Sequence, residues 1–280
     1  MSSDNSDQRE FWSDAAGPKW VQMQAQMDQL MQPVLDGVWI RAGLTQGQRV
    51  LDVGSGTGAS TLQAADQVAP DGHVTGADIS DTMTTLARKR AGGRPDVSLI
   101  LADVAHHPFQ PDSFDAVVSR FGVMFFADAA GAFANIRAAM VPGARITFAA
   151  WAAIPDNPFF TTPAQVAKSL VGAPPRPDPD APGPFAFRDA GRVTDILNAA
   201  GFTDICIDTA HTALDGGSDP AGLAQTMCRI GPAEAALRYA QAGADMQKAV
   251  EQALSKAVGI FSTPDGLRIP ASVHYVTALA

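Results

Sequence analysis

Three glycines at alternate positions, Gly54, Gly56 and Gly58, break the run VLDVGSGTGAST directly after an apolar, β-branched strand signal and before a helical one. Glycine lets the backbone turn sharply and lets a ligand approach where a Cβ would collide. Spacing alone leaves two readings open. Gly54, Gly56 and Ala59 satisfy the G-x-G-x-x-G/A fingerprint of dinucleotide sites, whereas Gly54, Gly56 and Gly58 satisfy a G-x-G-x-G loop. Either loop holds a nucleoside. Asp78 closes the next strand signal, TGAD, twenty residues after Gly58, where a carboxylate can accept from both ribose hydroxyls. Asp103 closes LILAD, where a carboxylate can accept from an adenine amino group, with Ile79 and Met83 sandwiching the base. A dinucleotide site needs no acid at that third position.

These residues require a parallel sheet to bring them together. Short apolar runs, RVLDV, HVTGAD, VSLILA, FDAVVS and RITFAA, alternate with helical stretches, clearest at 81–91 and 128–140, the second stopped by Pro142 and Gly143. Strict alternation implies an α/β doubly wound, Rossmann-like fold: a seven-stranded, mostly parallel sheet with helices on both faces. Upstream, 20–38 carries Trp20, Met23, Met27, Leu30, Met31, Val34 and Val38 on one helical face, with Pro33 expected to kink or interrupt it. Downstream, APPRPDPDAPGP reads as a loop because each proline removes a donor and fixes φ. A helix at 189–200, a strand TDICIDT, a long Ala-rich helical stretch to about Val258 and a last strand ASVHYVTAL follow. The expected divisions are an N-terminal helical lid (1–45), a nucleoside-binding core (46–152), a Pro-rich cap segment and helix (153–202), and the remaining strands with an inserted helical cap (203–280).

Composition narrows the class. With 280 residues, 46% hydrophobic and 18% charged, the chain can bury a large core. No apolar run reaches the roughly 20 residues of a membrane span. The polar, acidic start MSSDNSDQREFWSD has neither the basic nor the apolar region of a signal peptide, so a cytoplasmic location is expected. A net charge of −9 argues against a nucleic-acid partner. Cys206 and Cys228, without a C-x-x-C or a histidine cluster, indicate neither a disulfide framework nor a metal site.

In these motifs the stretch Val50–Trp151 resembles class I S-adenosylmethionine-dependent methyltransferases, in particular the bacterial small-molecule group that includes ubiquinone/menaquinone-type enzymes. VLDVGSGTG looks like their cofactor loop, GADIS their ribose-binding strand end, LADVAHHPFQPDSFDAVVSRFGVMFF their adenine-binding and fourth-strand segment, and NIRAAMVPGARITFAAW their fifth-strand unit. FWSDAAGPKW resembles the group's N-terminal lid segment, and GPFAF, LNAAGF and the closing strand its C-terminal half. Two positions depart: Ala144 stands where the turn usually has a second glycine, and Ser55 where the loop often has cysteine. The resemblance implies that Gly54, Ser55, Gly56 and Gly58 lie against the methionine part of S-adenosyl-L-methionine. It further implies Asp78 on the ribose, Asp103 and Val104 at the adenine, Ser119 and Arg120 beside the sulfonium, and Asp52 orienting the loop and attracting the ammonium.

The reaction so implied is an in-line methyl displacement that yields S-adenosyl-L-homocysteine. Its leaving group is already cationic, so alignment and water exclusion matter most, and no metal is required. Where an acceptor must be deprotonated, His106 and His107 are the first candidates for the base. Trp20, Phe121, Met124, Phe125, Phe185 and Phe187 are the candidate lining for a small apolar or aromatic acceptor, with oxygen or carbon as nucleophile. The rival readings are a nicotinamide-dependent oxidoreductase, which Asp103 and the absence of a Tyr-x-x-x-Lys constellation disfavour, and a protein of the same fold that binds the cofactor without turnover.

Overall fold

A computed structural model describes residues 5–175 and 178–280. Residues 1–4 of the acidic N-terminal stretch, and Arg176 and Pro177 of the Pro-rich loop, lie outside the described residues. The chain begins with helices α1 (Ser6–Glu10), α2 (Gly17–Gln22) and α3 (Gln24–Ala42). The alternating core follows: β1 (Arg49–Val53), α4 (Ala59–Val68), β2 (His73–Asp78), α5 (Asp81–Ala91), β3 (Val97–Leu101), β4 (Phe114–Arg120), α6 (Ala129–Ala139) and β5 (Met140–Trp151). The rest comprises α7 (Pro158–Val171), α8 (Ala190–Ala199), β6 (Thr203–Asp215), α9 (Pro220–Arg229), α10 (Gly231–Tyr239), α11 (Ala244–Val258), β7 (Ser262–Thr263) and β8 (Gly266–Leu279).

The sheet runs β3-β2-β1-β4-β5-β8-β6, with the two-residue β7 paired only to β8. From β3 to β5 neighbours are parallel, while β8 is antiparallel to both β5 and β6. The expected mostly parallel, doubly wound sheet is thus the observed one. Between β1 and β4 the strand order reverses, and a crevice opens there beyond the strands' carboxyl ends. The candidate polar residues converge on this crevice because β1, β2, β3 and β4 all end at it.

Two sequence expectations are corrected. The Ala-rich stretch before Val258 is three helices, broken at Ile230–Gly231, where Gly231 takes φ 70° and Pro232 can only open a helix, and again at residues 240–243. Pro33 does not interrupt its helix: α3 runs through it, because Val34, Leu35 and Val38 are fully buried, and the break falls at Met23 instead. The described residues of APPRPDPDAPGP form the expected loop, and it is preceded by a helix, α7, with Pro158 in its first turn where no amide is needed.

The first 45 residues do two jobs. Helix α3 packs across β4, β5, β6 and β8, burying Met27, Leu30 and Met31, and so belongs to the core. The segment before it, 5–23, reaches over the crevice, to which α3 itself contributes Met31. On the other side, α7, α9, α10 and α11 pack on one another as a helical layer. Asn157, fully buried at the start of α7, ties that layer to β8: its Oδ1 accepts from Ser272 N (3.0 Å), and its Nδ2 donates to Ala153 O (2.9 Å) and Ser272 O (3.2 Å).

Asn157→Ala leaves both backbone groups of Ser272 without this partner in a buried setting, a loss of about 1–3 kcal/mol. Denaturant unfolding is expected to show a reduced midpoint with unchanged slope; a midpoint equal to the wild type would mean that these bonds contribute nothing net.

Candidate functional site

The glycine loop is held open by a carboxylate. Gly56 takes φ 54°, and its amide donates to Asp78 Oδ2 (2.8 Å), while Ser80 N donates to Asp78 Oδ1 (2.8 Å). Asp78 therefore joins the loop after β1 to the start of α5. Burial pushes its pKa up to about 6, against the pull of the amide bonds from Ser80 and Gly56, and the nearby Asp52 charge adds to the rise. Gly54 shows why a second glycine is needed: a Cβ there would lie 2.6 Å from Gly122 Cα, and one on Gly122 would lie 2.4 Å from Val53 O. The backbones after β1 and β4 touch at this point.

Asp52 lies behind the loop. Its Oδ2 accepts from Ser60 Oγ and Thr61 Oγ1, both at 2.6 Å, which fixes the first turn of α4, and its Oδ1 has no partner. Burial raises its pKa, opposed by those two hydroxyls and by the Arg120 charge. Arg120, at the end of β4, is half-buried and projects into the crevice, with its Nη1 buried and unpartnered. Burial lowers its pKa while Asp28 and Asp52 act to raise it; a guanidinium remains charged through any such shift. Ser55 Oγ is a third buried atom without a partner. A side chain on α5 braces the loop from behind, where Arg90 donates to Thr57 O (2.7 Å) and pairs with Asp28 of α3 (2.7 Å).

The N-terminal segment closes the crevice. Asn5 is buried, its Nδ2 donating to Asp103 Oδ1 (2.8 Å) and its Oδ1 accepting from Ala127 N (2.8 Å). Residues Phe11–Ala15 form one wide π-helical turn, closed by Ala16 N to Phe11 O (2.8 Å). The Trp12 carbonyl accepts from Ser80 Oγ (2.8 Å) and the Ser13 carbonyl from Thr82 Oγ1 (3.0 Å). The cavity beneath this segment measures about 300 Å³. One end is polar, lined by Ser55, Gly56, Asp78, Asp103 and Arg120; the other is aromatic, lined by Trp12, Trp20, Phe121, Phe125, Trp151 and Phe160.

Of the residues singled out in the sequence, Gly54, Ser55, Gly56, Asp78, Ile79, Met83, Asp103, Val104 and Arg120 line this cavity, as do Trp20, Phe121, Met124 and Phe125. Others do not. Gly58 caps α4 against Ala87, and Ser119 Oγ donates to Val53 O (2.7 Å) and accepts from Gly122 N (3.1 Å), pinning the two touching backbones. Phe187 is core, packed on Phe133 and Phe148, and Phe185 stands behind the wall against Phe160 (4.8 Å). His106 and His107 also lie outside the lining: the turn after β3 carries them outward, His106 is exposed, and the His107 ring packs on Phe109 (4.5 Å). The sequence reading missed Asn5, Trp12, Trp151 and Phe160. Trp12 and Trp151 sit inside stretches that it had quoted, FWSDAAGPKW and RITFAAW, but nothing in their spacing distinguishes a lining aromatic from a core one.

Comparison with known proteins decides what the loop belongs to. The model of a methyltransferase domain matches residues 50–143, the stretch from β1 through α6 into β5. Residues 50–143 are similar to a methyltransferase domain. Among curated proteins, the chain is similar to the aklanonic acid methyltransferase DauC of Streptomyces sp. (strain C5), 40% identical over 104 residues, 36% of this chain and 47% of that protein. It is also similar to a demethylmenaquinone methyltransferase of Beutenbergia cavernae, 34% identical over 131 residues, 45% of this chain and 52% of that one. The chain spans about half the length of the curated relatives it matches. In fold it is like the Haemonchus contortus phosphoethanolamine N-methyltransferase 2, solved with S-adenosyl-L-methionine: TM-score 0.53 at 19% identity, over 88% of this chain and 51% of that one. The matched stretch thus carries the polar end of the cavity from 53 to 122, while the lid over it comes from residues outside that stretch.

Asn5→Ala leaves Ala127 N without its partner and frees the segment from Asp103. Because stability is local, the loss of about 1–3 kcal/mol falls mainly on this segment. Hydrogen exchange at residues 11–16 is expected to accelerate while the central strands keep their protection; equal exchange in both proteins would show that Asn5 does not hold the lid.

Proposed function

We propose that this protein is an S-adenosyl-L-methionine-dependent methyltransferase acting on a small apolar or aromatic acceptor, with an oxygen or carbon nucleophile favoured, and releasing S-adenosyl-L-homocysteine. The observation that carries the reading is one cavity that joins a polar end suited to a nucleoside with an aromatic end. The polar end fits the cofactor: unpartnered Ser55 Oγ and Arg120 Nη1 are the donors an amino-acid carboxylate requires, and Asp78 is the acceptor for the ribose hydroxyls. In this reading Asp103 takes the adenine amino group on the oxygen that Asn5 leaves, beside Val104, with Ile79 and Met83 against the base. Gly54 and Gly56 make room for the methionine part, and Asp52 balances Arg120 from behind the loop. The bound cofactor supplies an electrophilic methyl on a cationic sulfur.

The protein's own work is then alignment and water exclusion. Holding reactants in line contributes roughly 7–11 kcal/mol in well-oriented intramolecular reactions. The bracing of the glycine loop by Asp78 and Arg90 keeps the donor end rigid, and the segment from Asn5 to Trp20 excludes water above it. The acceptor end offers aromatic surface, which suits a flat apolar nucleophile. The similarity to an aklanonic acid and a demethylmenaquinone methyltransferase, by their names, supports an acceptor of this class.

Calorimetry with adenosylhomocysteine and, in parallel, NAD tests the reading directly: binding of the first and not the second is expected, and the reverse would favour an oxidoreductase. Asp78→Ala removes the acceptor for both ribose hydroxyls and is expected to weaken adenosylhomocysteine on the order of 100-fold.

The pH dependence has a definite sign. Asp78 in the free protein titrates at about 6, and hydroxyls that donate to its carboxylate favour the ionised form, so its pKa falls on binding. A proton on Asp78 competes with the ligand. The dissociation constant is expected to be flat well above pH 6 and to rise below it, approaching about tenfold per pH unit, with proton release on binding. A constant unchanged between about pH 5 and 8 would remove Asp78 from the ribose site.

A further inference from the structure

Phe121 holds a backbone conformation that its side chain disfavours. Its φ of 67° and ψ of 0° are left-handed, and among the described residues the other non-glycine positions with positive φ are polar, Asp112 and Gln241 in turns and Asp204 at an irregularity in β6. An aromatic residue there is strained, and such strain persists only where the surroundings impose it. The surroundings are visible. Gly122 must sit where no Cβ fits, against Val53 O and Gly54, so the permissive residue is used for space, and the turn falls one position earlier. Phe121 N is tied to Ala149 O (3.1 Å), and its ring lies flat on Trp151, with centroids 4.2 Å apart and planes 10° from parallel. Trp151 is buried and held in turn edge-on by Phe160 (5.1 Å).

We propose that Phe121 is a specificity-determining residue: the strained turn lays its ring on Trp151 as a platform, and the acceptor's planar ring system stacks on the face of Phe121 that Trp151 leaves open. This rests on the methyl-transfer reading and deepens it. Phe121 lines the cavity directly beside Arg120 and Gly122, so a ring stacked there adjoins the donor end. Offset stacking rewards planarity as well as apolar area. A flat acceptor is therefore preferred over a puckered one of equal size.

The test uses the full chain loaded with adenosylhomocysteine, titrated with 2-naphthol and with its saturated counterpart decahydro-2-naphthol, for the wild type, Phe121→Leu and Phe121→Gly. The wild type is expected to bind 2-naphthol about tenfold more tightly or better, and both variants to lose that preference while retaining adenosylhomocysteine. Thermal unfolding supplies a second reading. Phe121→Gly is expected to be at least as stable as Phe121→Leu, since glycine relieves the left-handed strain, although it buries less. No binding of 2-naphthol by the wild type, equal affinity for the two naphthols, or a preference that survives Phe121→Leu would overturn the proposal. So would a Phe121→Gly variant much less stable than Phe121→Leu. If adenosylhomocysteine fails to bind the wild type, the methyl-transfer reading falls instead, and the same naphthol pair titrated against the free protein still decides the platform.

Discussion

The contact between the Gly54 and Gly122 backbones is the constraint from which the site is built. It brings the ends of β1 and β4 together at the point where the strand order reverses, and a side chain on either residue would force them apart. Because the two chains touch, Ser119 can bond Val53 O and Gly122 N at once, Arg120 is turned into the crevice, and Phe121 must make the turn that glycine would make with less strain. The donor end and the acceptor end of the cavity are neighbours for the same reason. A looser crossing would keep the sheet and lose the adjacency of Gly56, Arg120 and Phe121.

Electrostatics at the polar end are arranged ahead of the ligand. Asp78 is buried at a cost that its two amide bonds only partly offset, since its pKa stays high. A group held in this way is stabilised when further donors arrive, so part of the cost of ordering the loop is met during folding, by packing elsewhere. Asp52 and Arg120 make a second, mutually compensating pair of buried charges, each with one polar atom left unpartnered. Leaving buried polar atoms unpaired is unfavourable unless a ligand completes them. That is the physical content of a preorganised site.

Much of this was legible in the sequence, and the limits of that legibility have physical causes. The strands were readable because parallel strands buried on both faces are continuous apolar runs, and the glycine loop and Asp78 because their roles depend on fixed offsets from those strands. The helical layer was not readable in detail: an Ala-rich stretch carries little periodic contrast, and the breaks at Gly231 and residues 240–243 depend on tertiary packing. Phe187 and Trp151 show the same limit at the site. Both are aromatics beside the expected acceptor pocket, yet one packs on Phe133 in the core and the other backs the cavity wall, a difference set by which face of the sheet each reaches. The histidines were misplaced because the sequence gives the position of a loop but not the direction in which it turns.

The lid couples the two ends of the site. Asn5 ties the segment to Asp103 and Ala127, and the Trp12 and Ser13 carbonyls tie it to Ser80 and Thr82, so its closed form depends on the same strand ends that shape the nucleoside end. The same segment carries Trp12 and Trp20, whose rings meet each other, and the Trp12 ring also meets Phe125 at the aromatic end. A change at Asp103 or Ser80 is therefore transmitted through one short stretch of chain to the aromatic wall. One segment therefore covers both the polar and the aromatic end of the cavity.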